Sequence, residues 1–245
     1  MLSKLKTPTN SFFGPPGSVD LAFVTIPYLP ALYMEDLVDA SEYADIRLLT
    51  LPWYVHRSGD QAQLPVTDIN TAYAGNGFGI CISYKNRTRR NEEIGQMPQQ
   101  NVFAVLFTRT ALTAHISPLW SAEGFYSTSG IVNIELGLDN ERSTSDYWAR
   151  IRSALREGMA SYTGRGKELG LVVSHGEKAE NQYFYRMLKE EVLNYQVDTT
   201  GPEFSVTDPV FAAARGAAGF AKRAPFLCLY ADNCFPDLTP KEPGW

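Results

Sequence analysis

The sequence predicts an α/β fold on three observations. Short apolar runs closed by proline, glycine or polar clusters recur along the chain, among them "LAFVTIP" (21–27), "IRLLTLP" (46–52) and "LGLVVS" (169–174). Runs of this kind read as buried strands. Longer stretches with apolar residues at 3.6-residue spacing lie between and after them, the clearest being "ENQYFYRMLKEEVLNY" (180–195). Strands alternating with helices define the class, and 245 residues suffice to bury a core in one large domain or two lobes.

Residues 1–18 form a loose, proline-rich leader, and 21–27 are the first strand. A helix runs from about Leu29 to Ala44 with Tyr33, Leu37, Ala40 and Ala44 near one face. The next strand is 46–52. A polar loop (56–68) leads to "NTAYAGNGFGICISY", a small-residue turn or short helix feeding a strand at 78–84. Residues 85–100 are charged or polar and read as a loop. "VFAVLFTRTALTAHIS" (102–117) reads as two strands joined by a tight turn at Arg109–Thr110, and "GIVNIEL" (130–136) alternates as a strand does. Ser143 or Ser145 can cap a helix carrying Trp148, Ile151, Ala154 and Leu155 on one side. After strand 169–174, the helix over 180–195 places Phe184, Met187, Leu188, Glu191, Val192 and Tyr195 at helical spacing. "DPVFAAARGAAGFAKR" (208–223) opens with Asp208 as a cap and Pro209 at the first helical position. It continues in small residues, so another helix or a ligand must come very close to its backbone. The chain divides into a leader (1–18), two larger segments (19–100 and 101–224) and a strap or tail (225–245).

Composition narrows the function classes. A net charge of −5 argues against nucleic acid as a partner. The one dense basic run, Lys85 to Arg90, is followed at once by Glu92 and Glu93 and reads as a solvated loop. No apolar stretch approaches the ~20 residues of a membrane span, and nothing near the start resembles a signal peptide. Cys81, Cys228 and Cys234 are odd in number and lack metal-ligand spacing, which suits reduced thiols in the cytoplasm. Gly-x-Ser-x-Gly, His-Glu-x-x-His and phosphate-binding glycine motifs are absent from the sequence, and Glu190–Glu191 is helix-surface spacing. No cofactor and no metal site are expected.

Particular segments add a resemblance. Val172, Val173 and Gly176 after the late strand, the long helix, and "DPVFAAARGAA" resemble the adenosine-binding end of the actin-like ATPase superfamily. The likeness is strongest to divergent fungal relatives of the 70-kDa heat-shock chaperones. "AFVTIPYLP" resembles the family's strand before a helix, and "NTAYAGNGFG" its "PTAAALAYG" segment. The matches run loosely over 20–84 and more firmly over 165–223. The resemblance implies a two-lobed, ribonuclease H-like fold lacking the N-terminal phosphate-loop hairpin, with 19–100 a remnant of the N-terminal lobe and 101–224 the C-terminal lobe.

Departures from the family pattern matter as much. The second phosphate loop should read Asp-hydrophobic-Gly-Gly-Gly-Thr; this chain has "VLFTRTALTA", without aspartate or glycine. A phosphate cradle needs exposed backbone N–H groups and a carboxylate to organise Mg²⁺. Ile69 and Asn70 stand where the family's next carboxylate belongs, with Asp68 just outside, and Ser174–His175–Gly176–Glu177 replaces paired glycines. The resemblance therefore implies a fold without ATPase activity. Truncated relatives of this kind occur beside fungal natural-product genes, and this chain resembles the Diels–Alderases among them.

Such a shell, rich in aromatics, suits a small hydrophobic ligand such as a diterpenoid precursor. The expected activity is a cofactor-independent intramolecular cycloaddition, and the alternative is a pseudo-ATPase that binds a nucleotide or protein partner. His175 and Arg109 are the catalytic candidates. Tyr28, Tyr73, Phe78, Thr108, Trp120, Glu177 and Arg215 are the substrate-binding ones, with Phe125 and Tyr126 in nearby loops. For each aromatic among them core packing is the safer reading, and His115 and His56 read as structural. The edge left where the first hairpin is missing suits a homodimer.

Overall fold

The computed structural model describes residues 6–7, 9–11, 21–27, 34–49, 66–124, 128–143, 146–162, 168–196 and 201–228. The N-terminal part contributes two short parallel pairs. β1 (Leu21–Ala22) lies beside β3 (Arg47–Leu48), and β2 (Thr25–Ile26) beside β4 (Val66–Thr67). The single strand expected over 21–27 is thus split, because the chain changes partner between Ala22 and Thr25. Helix α1 (Met34–Tyr43) buries Leu37 and Ser41, with Ala44 just beyond its end, while Ala40 faces outward.

Helix α2 (Asp68–Gly75) follows β4 directly. The strand expected at 78–84 is absent: these residues form turns, with Gly77 and Gly79 at φ 90° and 63° breaking any extended run and Ile82 fully exposed. The loop expected over 85–100 is mostly helix α3 (Arg87–Gln96), whose N-cap Asn86 accepts a hydrogen bond from the Arg89 N–H. Its basic run is not wholly solvated, since Arg90 is buried against Glu123 at 3.0 Å.

The centre is a five-stranded mixed sheet in the order β7-β6-β5-β8-β9. β5 (Gln100–Phe107) and β6 (Leu112–Leu119) form the hairpin read from the sequence, in register from Gln100↔Leu119 to Phe107↔Leu112. β7 (Ser129–Asn133) adds to β6, β8 (Leu171–His175) runs parallel to β5, and β9 (Glu203–Ser205) runs parallel to β8. Helices α4 (Tyr147–Ala160) and α5 (Gln182–Tyr195) cover one face, packing Ile151, Leu155, Phe184 and Leu188 on Phe103, Val105 and Phe107. Asp146, rather than a serine, stands at the start of α4. Glu191 is not on the surface: it is buried between α4 and α5, accepting from Arg152 and Arg156.

The other face carries Val102, Ala104, Leu171 and Val173 beneath α2 and α6 (Ala212–Cys228). The two helices cross with their backbones touching. A methyl built on Gly216 would fall 2.6 Å from the Thr71 carbonyl carbon, and one on Gly75 would fall 2.7 Å from that of Ala212. The closeness implied by "AAARGAAG" is therefore helix against helix. Asp208 does not cap α6, which starts four residues later; it sits in a turn at φ 48° with its carboxylate held by Arg215.

Candidate functional site

Alternation along the strands decides which polar groups reach the α2/α6 face. His115 pairs with Ala104 and His175 with Leu106, so both imidazoles rise on the same side as Ala104. Both are almost wholly buried, as is Asp68 at the first position of α2. The Asp68 Oδ2 atom stands 3.6 Å from His175 Nε2. Two of the chain's three histidines and a carboxylate thus gather on the α2/α6 face, drawn from β6, β8 and α2.

Burial pushes the His115 imidazole down to about 4. Burial, and then the neighbouring His115, push His175 down to about 4 as well. Asp68 at 3.6 Å pulls the other way, but that contact is longer than a made hydrogen bond, and full desolvation of the cation outweighs it. Both rings are neutral near pH 7, each with one N–H donor and one lone pair. The His115 ring lies over Gly130 of β7, where a Cβ would fall 2.6 Å from the His115 Cα and nearer still to Nδ1. Beyond His175, Gly176 turns the chain at φ 102°, with its N–H on the Pro209 carbonyl; a side chain there would run into Phe107 O at 2.6 Å.

The four N–H groups of the β5–β6 turn, residues 108–111, are all engaged within the protein. Thr108 donates to Ala111 O, Arg109 donates to the Glu177 carboxylate at 2.9 Å, and Thr110 and Ala111 both donate to Thr108 Oγ1. The carbonyls are taken too, Thr108 O by the Leu138 N–H and Arg109 O by the Asp139 N–H. The exposed Arg109 guanidinium grips Asp139 at 2.9 Å. No backbone donor of residues 108–111 is left for an anion.

The residues singled out from the sequence fall into separate groups. Tyr73 is buried, accepts from Gln100 Nε2 and stacks on the half-buried Phe78; both lie near Trp120, past the end of β6. Thr108, Arg109 and Glu177 gather at the other end of β5, roughly 23 Å away by the rise of an extended strand. Arg215 is committed to Thr207 O, Asp208 and Gly75 O. Only His175 lies in the buried cluster. Tyr28, Phe125, Tyr126 and His56 lie outside the described residues. Asp68, read as just outside the expected carboxylate position, and His115, read as structural, are not among the expected site residues. The available signals were Asp68, two residues before "NTAYAGNGFG", and His115 in phase with Thr113 and Ser117.

No group of three or more His, Cys, Asp or Glu side chains is placed to hold a metal ion, and no helix is long and apolar enough to cross a membrane, among the described residues. Comparison with protein-family models found no match, and comparison with curated proteins found none either.

Proposed function

We propose that this chain is a degenerate, two-lobed relative of the actin-like ATPases that has exchanged triphosphate chemistry for a cofactor-independent reaction on a hydrophobic small molecule. The order of hairpin, strand β8, glycine turn, long helix and small-residue helix is the order on which the resemblance rests. The observation that carries the functional half is the β5–β6 turn, where every N–H is occupied and a carboxylate, Glu177, sits on Arg109 where an anion would have to bind. A polyanion gains nothing at such a turn.

The reaction that fits best is an intramolecular Diels–Alder cyclisation of a diterpenoid-like precursor, as in the resemblance to the norbornene-forming Diels–Alderase of the sordarin pathway. Cycloaddition needs a substrate held folded in dry surroundings, with one donor on its electron-withdrawing group. Such a donor contributes ~2–4 kcal/mol by analogy with an oxyanion hole. A neutral imidazole of His115 or His175 supplies it better than Arg109, whose guanidinium is exposed and already paired. The test is to incubate the purified protein with diene–dienophile precursors and follow rate and stereochemistry. Equal rates and product ratios with and without protein, across a panel of such precursors, refute the cyclase.

One observation favours a second reading, a pseudo-ATPase that keeps an adenosine site: exposed Val210 and Phe211 adjoin the Gly176–Pro209 contact. Calorimetric titration with adenosine, ADP and ATP separates the two, since tight adenosine binding supports the second.

A further inference from the structure

We infer that residues 80–97 form a hinged flap, held closed by the buried Arg90–Glu123 ion pair, which opens while the sheet stays folded and so uncovers the Cys81 thiol. Local forces do not account for α3. It opens with Arg-Thr-Arg-Arg, placing cations where the positive end of the helix dipole favours carboxylates, and Glu92 and Glu93 come only later. Gly95 weakens it further, and a methyl built there would meet nothing within 4 Å. A helix this short is marginal without tertiary support. The one residue that α3 buries is a cation, Arg90, rather than an apolar side chain.

Inside the flap the turn and the helix are tied to each other. The Glu93 carboxylate accepts from the Ile82 and Ser83 N–H groups at 2.7 and 3.1 Å, and the Cys81 thiol donates to the Arg90 carbonyl at 3.8 Å. They therefore move as one body. Toward the rest of the protein, Arg90 meets Glu123 at 3.0 Å with side chains 6% and 2% exposed. Nε and Nη2 of Arg90 both donate to Glu123 Oε2, while Oε1 has no hydrogen-bond partner among the described residues. Two charges lose water here without the paired parallel bonds of a guanidinium–carboxylate fork, so closure gains little over opening. Tyr84 adds an edge-on contact with Phe226 of α6, beneath Arg223. The flap starts from an anchored glycine: Gly79 lies at φ 63°, its carbonyl accepts from the Ala122 N–H, and a side chain there would strike that nitrogen. It ends at Met97 and Pro98, just before β5. A few residues at the ends of elements suffice to absorb such a rotation.

Cys81 reports the opening. In the closed protein its thiol is wholly buried, and burial, then the Glu123 charge, push it up to about 12. Alkylation at about pH 8 therefore marks opened molecules. The experiment treats the full chain with iodoacetamide, reads Cys81 by peptide mass spectrometry, and follows amide hydrogen exchange alongside. The opening seen by Cys81 and by the α3 amides should be at least ~100-fold more populated than the one that releases the β5 and β8 amides. Glu123→Gln should raise Cys81 labelling at least ~10-fold while the sheet keeps a cooperative urea transition. Gly216→Ala, at the α2/α6 crossing, should speed exchange in the sheet and leave Cys81 labelling unchanged. Equal protection of α3 and β5 in the wild-type chain overturns the flap without need of any variant. Unchanged labelling in a folded Glu123→Gln protein overturns it too, as does Cys81 labelling that rises with sheet exchange in Gly216→Ala. None of these readouts depends on turnover or on a ligand.

Discussion

Replacing Gly216 with alanine tests whether helix crossing alone accounts for the small-residue run. The added methyl would sit 2.6 Å from the Thr71 carbonyl carbon and 2.9 Å from its Cα. Carbon atoms prefer about 3.5–4.0 Å, so α2 and α6 must part by roughly 1 Å along a contact made of backbone, which cannot rotate away. Overpacking costs about 1–3 kcal/mol, and a backbone clash belongs at the upper end. Alanine returns up to ~1 kcal/mol in helix propensity, leaving a net loss of about 2 kcal/mol. With a urea slope near 2 kcal/mol/M, the midpoint should fall by about 1 M. Gly219 supplies the internal control: three residues further along the same helix, its methyl would meet only the far end of the Arg223 side chain, at 3.0 Å, and no backbone. Gly219→Ala should therefore be neutral or stabilising by up to ~1 kcal/mol. Equal midpoints for the two variants would show that the crossing is looser than described and that the small residues serve something else.

Three further outcomes follow from the same contacts. His115 and His175 are held near 4 against an ordinary 6.5, so their contribution is full above pH 6.5 and is lost as the pH falls toward 4. At pH 5 each should cost about 2 kcal/mol, and urea midpoints between pH 7 and 5 should fall less steeply in His115→Gln or His175→Gln. Burial raises the Glu191 carboxyl, but Arg156 and Arg152 outweigh it and hold it low. Its contribution is therefore present above about pH 4.3 and lost below. Glu191→Gln should cost about 1–2 kcal/mol at pH 7, less than for a wholly buried pair because Arg156 is 62% exposed, and should flatten the acid limb of a stability–pH curve. Asn86→Ala removes the cap on α3 and should cost about 1 kcal/mol in thermal or urea unfolding.

The central hairpin and the helices α4 and α5 were legible because their apolar spacing matches one buried face, and burial is what that spacing encodes. Helix α3 was not, because "RTRRNEEIGQ" has no apolar stripe; its only sign was Asn86 as cap, and its burial is a single ion pair with a residue far along the chain. β9 was missed because three edge residues are too few to show a period. In "LAFVTIP" hydrophobicity was right and length wrong, since a strand also needs one continuous partner. Of the site, His175 could be placed by its position after a strand. The company it keeps could not: strand register puts His115 on the same face, and the turn into α2 brings Asp68 to it, and neither relation is local.

The closed turn and the neutral imidazoles point the same way from different physics. A triphosphate bound at the end of β5 would bring several negative charges toward His175, and in a poorly solvated setting each would stabilise imidazolium. The fold does the opposite at both places. It presents Glu177 to the one donor an anion would seek, and it buries His115 and His175 where desolvation keeps them uncharged. Under the function proposed above, the ligand is held by shape and by one or two hydrogen bonds, because neutral donors and acceptors lose less on losing water than ions do. That condition suits chemistry in which positioning supplies most of the rate and no charge has to be created.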